Sequence, residues 1–133
     1  MTRAKPSAKR VVRRFPKSVI SAIDKSHYVR IRAGTEHRFI AIWGVVVGGR
    51  VFVRSWYMKP AGWFHTFAQT PLGAIRLEER EIPVRASRVR SARLKDAVDK
   101  AYAAKYVTPA SIKYVKGFAR GKRKDTTTEL TPR

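Results

Sequence analysis

Apolar and polar positions alternate from His27 to Ala33, with His27, Val29 and Ile31 on one face and Tyr28, Arg30 and Arg32 on the other. That period of two predicts a half-buried strand, ended by Gly34. The run Phe39–Val47 is apolar throughout and rich in Val and Ile, which predicts a strand covered on both faces and central to the fold. Gly48-Gly49 supplies the positive backbone angles of a tight hairpin, and alternation resumes from Arg50 to Trp56. Pro60 and Gly62 interrupt the pattern. Trp63, Phe64 and Phe67 then fall at helical spacing up to Pro71, predicting one short helix.

A second hairpin follows. Ile75 and Leu77 face inward on one strand, residues 78–80 turn, and Ile82, Val84 and Ala86 face inward on the next, extending a five-strand meander. Ser91 is placed to cap a helix whose stripe is Leu94, Val98, Ala101 and Tyr102, running to Tyr106. Thr108-Pro109 opens another helix, with Ile112, Val115 and Ala119 on its apolar side and Lys113, Lys116 and Arg120 as a cationic stripe. Residues 126–131 have strand propensity and are expected to close the sheet as its final edge. Strands dominate, and a small closed or half-closed barrel avoids long free edges.

Composition narrows the functional classes. The 133 residues, 44% of them hydrophobic, suffice for one core, and the absence of cysteine excludes disulfides, thiolate metal sites and a thiol nucleophile. The longest apolar run is far shorter than the roughly 20 residues a membrane-crossing helix needs. No secretory apolar core follows Met1, so the expected compartment is cytoplasmic.

The charge is strongly one-sided, with 30 Lys and Arg against 9 Asp and Glu, a net +21. Such a balance favours polyanionic partners without specifying a fold. Residues 1–17 hold seven cations and no acid, and Lys113–Lys124 holds six more with none. The organisation expected is a basic, flexible arm over residues 1–24 and one domain over residues 25–133. The arm reads first as a solvated tail, and otherwise as a nucleic-acid contact or an organellar targeting segment.

Candidate chemistry centres on residues 38–63. Arg54 and Lys59 are of the types that hold phosphate, Arg through a planar charged fork and Lys as a mobile point charge, and Trp63 offers a planar wall. Solvated surface charge and buried aromatic packing are the plainer roles for the same residues. His27, His37 and His65 have no metal-ligand spacing, so no metal site is expected. His65, beside Trp63, could donate a proton but fits a surface role better. Glu78, Glu79 and Glu81 cluster in a turn, where solubility explains them, and no phosphate loop, nucleophile elbow or dinucleotide fingerprint is present. No catalytic residue is assigned.

From about Val29 onward, AIWGVVVGGRVFVRSW, PAGWFHTFAQTP, REIPVRA and LKDAVDKAYAAKY together resemble the flavin-binding split-barrel superfamily of pyridoxamine phosphate oxidase-like and deazaflavin-dependent nitroreductase-like proteins. The similarity is greatest to an uncharacterised bacterial family of that fold. The resemblance implies a mainly β, six-stranded antiparallel split β-barrel with flanking helices, a homodimer, and a groove for FMN or the deazaflavin F420. It implies an oxidoreductase acting on a small molecule. Arg38, Arg54, Ser55 and Lys59 would take the phosphate, Ile42 and Trp43 would lie along the ring, and Trp63 would wall the pocket. The segment before the central strand departs from the deazaflavin pattern, because Glu36 and His37 interrupt its basic residues. The competing readings are a basic module that binds nucleic acid through its arms and a barrel that has kept the fold without a cofactor.

Overall fold

The computed structural model describes residues 13–133. Among them seven strands, β1 (Val29–Ala33), β2 (Ile40–Ile42), β3 (Gly44–Val47), β4 (Arg50–Val53), β5 (Leu72–Leu77), β6 (Arg80–Arg88) and β7 (Thr128–Pro132), form one antiparallel sheet in the order β2-β1-β5-β6-β7-β4-β3. Five helices accompany it: α1 (Lys17–Lys25), α2 (Trp63–Gln69), α3 (Ala92–Lys105), α4 (Pro109–Phe118) and α5 (Gly121–Asp125). None is long and apolar enough to cross a membrane.

The two ends of the sheet, β2 and β3, are consecutive pieces of chain separated only by Trp43. The run expected as one central strand therefore bends at Trp43-Gly44, pairs with β1 before the bend and with β4 after it, and brings the sheet round into a nearly closed barrel. That bend is why seven strands are found where six were expected. It is held from inside and out. A Cβ on Gly44 would lie 2.8 Å from Val29 Cγ2, so only glycine lets β3 pass this closely over β1. The Gly44 N–H donates to the Tyr106 hydroxyl at 3.1 Å, and Lys105 Nζ donates to the carbonyls of Gly44 at 2.7 Å and Ile23 at 3.0 Å.

The predicted alternation survives in β1, where Val29, Ile31 and Ala33 are buried and Arg30 is exposed. The Gly48-Gly49 turn has φ of 58° and 75°, and the Leu77↔Arg80 pair closes the second hairpin across Glu78 and Glu79. Topology departs from the meander. The last strand, β7, is interior rather than an edge, lying between β4 and β6.

Two apolar clusters sit on opposite faces of the wall. The barrel interior joins Val29, Ile31, Val51, Val53, Ile75 and Val84 to Val19 and Ile23 of α1 and Phe67 of α2. Outside, Val45 and Phe52 pack against Val98 and Tyr102 of α3 and Phe118 of α4. Phe15, Val19 and Ile23 are buried, so from Phe15 onward the expected arm is part of the domain, whereas residues 1–12 lie outside those described. Ser91 caps α3 by accepting from the Leu94 N–H at 3.1 Å, as predicted. Helix α4 is turned from its expected face: Phe118 and Ser111 are buried and Ile112 is exposed.

Burial pushes the phenols of Tyr102 and Tyr106 above their ordinary range. A group whose folded pKa is raised stabilises the fold below its unfolded value, near 10, and that stability is lost as pH rises beyond it. Chemical denaturation midpoints are expected to fall above pH ~10, each buried tyrosine contributing about 1.4 kcal/mol per pH unit. The Tyr102→Phe variant, which removes the ionisable hydroxyl and its 3.4 Å contact to the Trp43 carbonyl, should lose stability less steeply across that range. Parallel slopes for the two proteins would contradict this assignment.

Candidate functional site

Strand β4 runs out into Arg54, Ser55 and Trp56, and the loop that follows leads to α2. The Arg54 side chain has no exposed surface. Its Nε–H donates to Thr127 Oγ1 at 2.8 Å, Nη1 donates to Asp99 Oδ1 at 2.6 Å and to the Phe118 carbonyl at 2.9 Å, and Nη2 donates to the Lys95 carbonyl at 2.8 Å. One guanidinium thus ties the end of β4 to α3, to the end of α4 and to the turn into β7. Asp99 also accepts from Lys124 at 2.8 Å, and Lys124 donates to Asp96 at 2.6 Å. The paired carboxylates raise the Lys124 ammonium above its usual range, and Lys124 lowers the Asp96 carboxyl.

Above this network lies an open cleft of about 660 Å³ whose lining includes Ile42, Trp43, Arg54, Ser55, Lys59 and Trp63. The fold therefore gathers six of the seven residues singled out from the sequence. Arg38, exposed in the segment between β1 and β2, is not among the lining residues. Their contributions differ. Arg54 lends no reachable charge, because its guanidinium is buried and engaged. The Ser55 hydroxyl donates to the Tyr57 carbonyl at 2.6 Å. Lys59 is exposed, with Nζ 5.3 Å from the Tyr57 ring centroid, and it is the one lining cation whose charge reaches solvent.

The aromatic walls are fixed by packing. Trp43 stacks on Tyr106 with centroids 3.9 Å apart and planes 3° from parallel. Trp63 is buried and meets Phe67 edge-on at 6.0 Å. Trp56 carries the Arg123 guanidinium over its ring at 3.7 Å and packs on Gly117, where a Cβ would come within 2.6 Å of the indole. All three tryptophans of the chain line this one cleft. Tyr28, Trp56, Tyr57 and Tyr114 complete it and were not singled out as its walls. The signal for Tyr114 was its position one helical turn before Phe118, obscured by the neighbouring lysines.

β2 adds main-chain groups. It ends the sheet, so one of its edges has no strand partner, and Ile40, Ala41 and Ile42 line the cleft. No carboxylate and no histidine does. His65 is elsewhere, its Nδ1 buried without a hydrogen-bond partner, and no cluster of metal-ligating side chains occurs among the described residues. The arrangement can sandwich and orient a flat ligand, while acid–base chemistry would have to come from that ligand.

Removing the Arg54 head group leaves the Phe118 and Lys95 carbonyls and the Thr127 hydroxyl without their donor and takes from Asp99 one of its two cations. The Arg54→Met variant is expected to lose about 3–5 kcal/mol of unfolding free energy, whereas Lys59→Ala, on an exposed side chain, should stay within about 0.5 kcal/mol. Urea unfolding of both checks the contrast, and an Arg54→Met protein as stable as the parent would contradict the structural role.

Comparison with known proteins agrees with this fold. A structure of the conserved hypothetical protein Rv2991 from Mycobacterium tuberculosis aligns over 97% of this chain and 83% of its own, with TM-score 0.56 and 12% identity. The "Putative Pyridoxamine 5'-phosphate oxidase" of Listeria innocua aligns over 86% of this chain and 90% of its own, with TM-score 0.56 and 9% identity. At these identities the likeness establishes the fold alone, a nearly closed barrel shared with these two structures. No curated protein matches the sequence. The model of the family described as "Uncharacterized protein conserved in bacteria (DUF2255)" matches residues 19–130, and the chain belongs to that family.

Proposed function

We propose that the tryptophan-lined cleft binds FMN or the deazaflavin F420 and presents it to a small-molecule substrate, making the protein a cofactor-dependent oxidoreductase of the cytoplasm. The observation that carries this reading is the convergence of Trp43, Trp56 and Trp63 on one cleft together with the unpaired edge of β2. Flat conjugated rings fit aromatic walls, and their polar edges fit free main-chain donors and acceptors. The barrel neighbours support the same class of ligand.

The residues present fit such a group in a defined way. Ile42 and Trp43 would lie along the ring and Trp63 would close the pocket. Lys59, with Ser55 beside it, would meet the phosphate, and Arg38 would need to swing in from outside the lining. Arg54 acts beneath, fixing the end of β4 rather than touching the ligand. When bound, the cofactor supplies two-electron chemistry. The chain binds it, orients it and keeps water from its covered face.

Tyr28, Ile40, Tyr57 and Tyr114 are exposed large apolar side chains on this same cleft. A second copy of the chain covering that rim would bury them and deepen the site, so the functional unit in this reading is a homodimer.

The test is a visible absorption titration of the folded protein with FMN and with F420. A perturbed band that saturates at one cofactor per chain is expected, with affinity reduced about tenfold in Lys59→Ala through loss of a charge-assisted contact. Failure of both cofactors to bind folded protein would overturn the proposal.

A further inference from the structure

Behind Trp56 lies a second cleft, of about 840 Å³, lined by Lys113, Arg120, Lys122 and Arg123 along with Trp56 and Tyr114. We infer that it is a phosphate-binding site, distinct from the tryptophan-lined cleft and independent of what that cleft holds. Its cations come from α4, from the turn at Arg120 and from α5, whose first residue, Gly121, has φ 62°. No acid lines it.

The chain has few carboxylates, and those nearest in sequence are spent elsewhere. Asp125, two residues beyond Arg123, pairs with Lys95 at 3.1 Å, and Asp96 and Asp99 take Lys124. Lys113, Arg120, Lys122 and Arg123 form no ion pair among the described residues. Four like charges around one concavity repel one another, and an anion there relieves that cost.

Arg123 is the organised element. Its Nε–H donates to the Trp56 carbonyl at 2.9 Å while its plane lies over the indole, so the side chain is held in one orientation. The two terminal nitrogens have no hydrogen-bond partner among the described residues and form a preset fork of the kind that grips phosphate oxygens. Lys113 and Lys122, both exposed, supply mobile charge around it. Phosphate fits this donor set better than carboxylate because four cations suit a group with several charged oxygens. A single-stranded nucleic acid and a small phosphorylated molecule share that chemistry.

The experiment uses the full chain, with anisotropy of a labelled oligothymidylate at several salt concentrations and calorimetric titration of pyrophosphate. The paired substitution Lys113→Gln/Lys122→Gln removes two exposed cations from the cleft, and Arg80→Gln/Arg85→Gln removes two exposed cations of β6 that line neither cleft. The cleft pair is expected to weaken binding at least tenfold, the β6 pair less than twofold. For the oligonucleotide, the log–log salt slope should fall in magnitude by about 1.4 in the cleft pair. Arg123→Lys, which keeps the charge and loses the fork, should weaken pyrophosphate binding while leaving thermal unfolding within a few degrees.

Oligonucleotide binding with the cleft-specific loss assigns the phosphate to a nucleic-acid chain, and pyrophosphate binding alone assigns it to a small molecule. No binding of either probe, or equal losses in the cleft and β6 pairs, would overturn the inference.

Discussion

The buried guanidinium of Arg54 is the contact on which the rest of the molecule depends. A charge with no exposed surface is tolerated only when its donors are satisfied, and here four hydrogen bonds reach a carboxylate and a carbonyl of α3, a carbonyl of α4 and a hydroxyl in the turn before β7. Those partners lie in the first eight residues of α3, at the end of α4 and in the turn into β7. Fixing them fixes Phe118 and Tyr114 above, and with them the wall between the two clefts. The residue that looked from its type like a ligand contact is instead buried and fully engaged beneath the cleft.

Closure of the barrel imposes the second constraint. Bending one apolar run at Trp43-Gly44 puts its two halves at opposite ends of the sheet order and leaves β2 with an unpaired edge beside the aromatic walls. The same bend turns Trp43 onto Tyr106, whose hydroxyl meets the Gly44 N–H and donates to the His27 carbonyl at 2.6 Å. One local kink therefore shapes the cleft and fastens helix α3 to the barrel. The basic cleft lies across Trp56, so the two cavities share a wall but differ in chemistry, one aromatic and nearly free of reachable charge, the other cationic.

Local patterns in the chain were legible and long-range order was not. Both hairpins could be read because their turns and period-two alternation are local properties, and so could the Ser91 cap and the Val98–Tyr102 stripe. Helix α1 carried its signal in Val19 and Ile23, four residues apart, but the surrounding cations made the segment resemble a tail. The placement of β7 between β4 and β6 depends on pairing across forty residues or more, which no local period encodes. The candidate site was legible as a neighbourhood, since all the residues singled out except Arg38 line one cleft, yet not in its roles. Residue type alone does not reveal that Arg54 is buried and Lys59 exposed.

The central claim is that the tryptophan-lined cleft is a binding site for a planar cofactor, and the most direct measurement uses the reporters the chain already has. With three tryptophans, all in the cleft, the indole N–H resonances of ¹⁵N-labelled protein can be followed during titration with FMN and with F420. The account predicts that the three indole signals shift together and saturate with one of these cofactors, while backbone signals from the β5–β6 hairpin stay in place. Indole signals that remain unmoved in folded protein at saturating concentrations of both would contradict it.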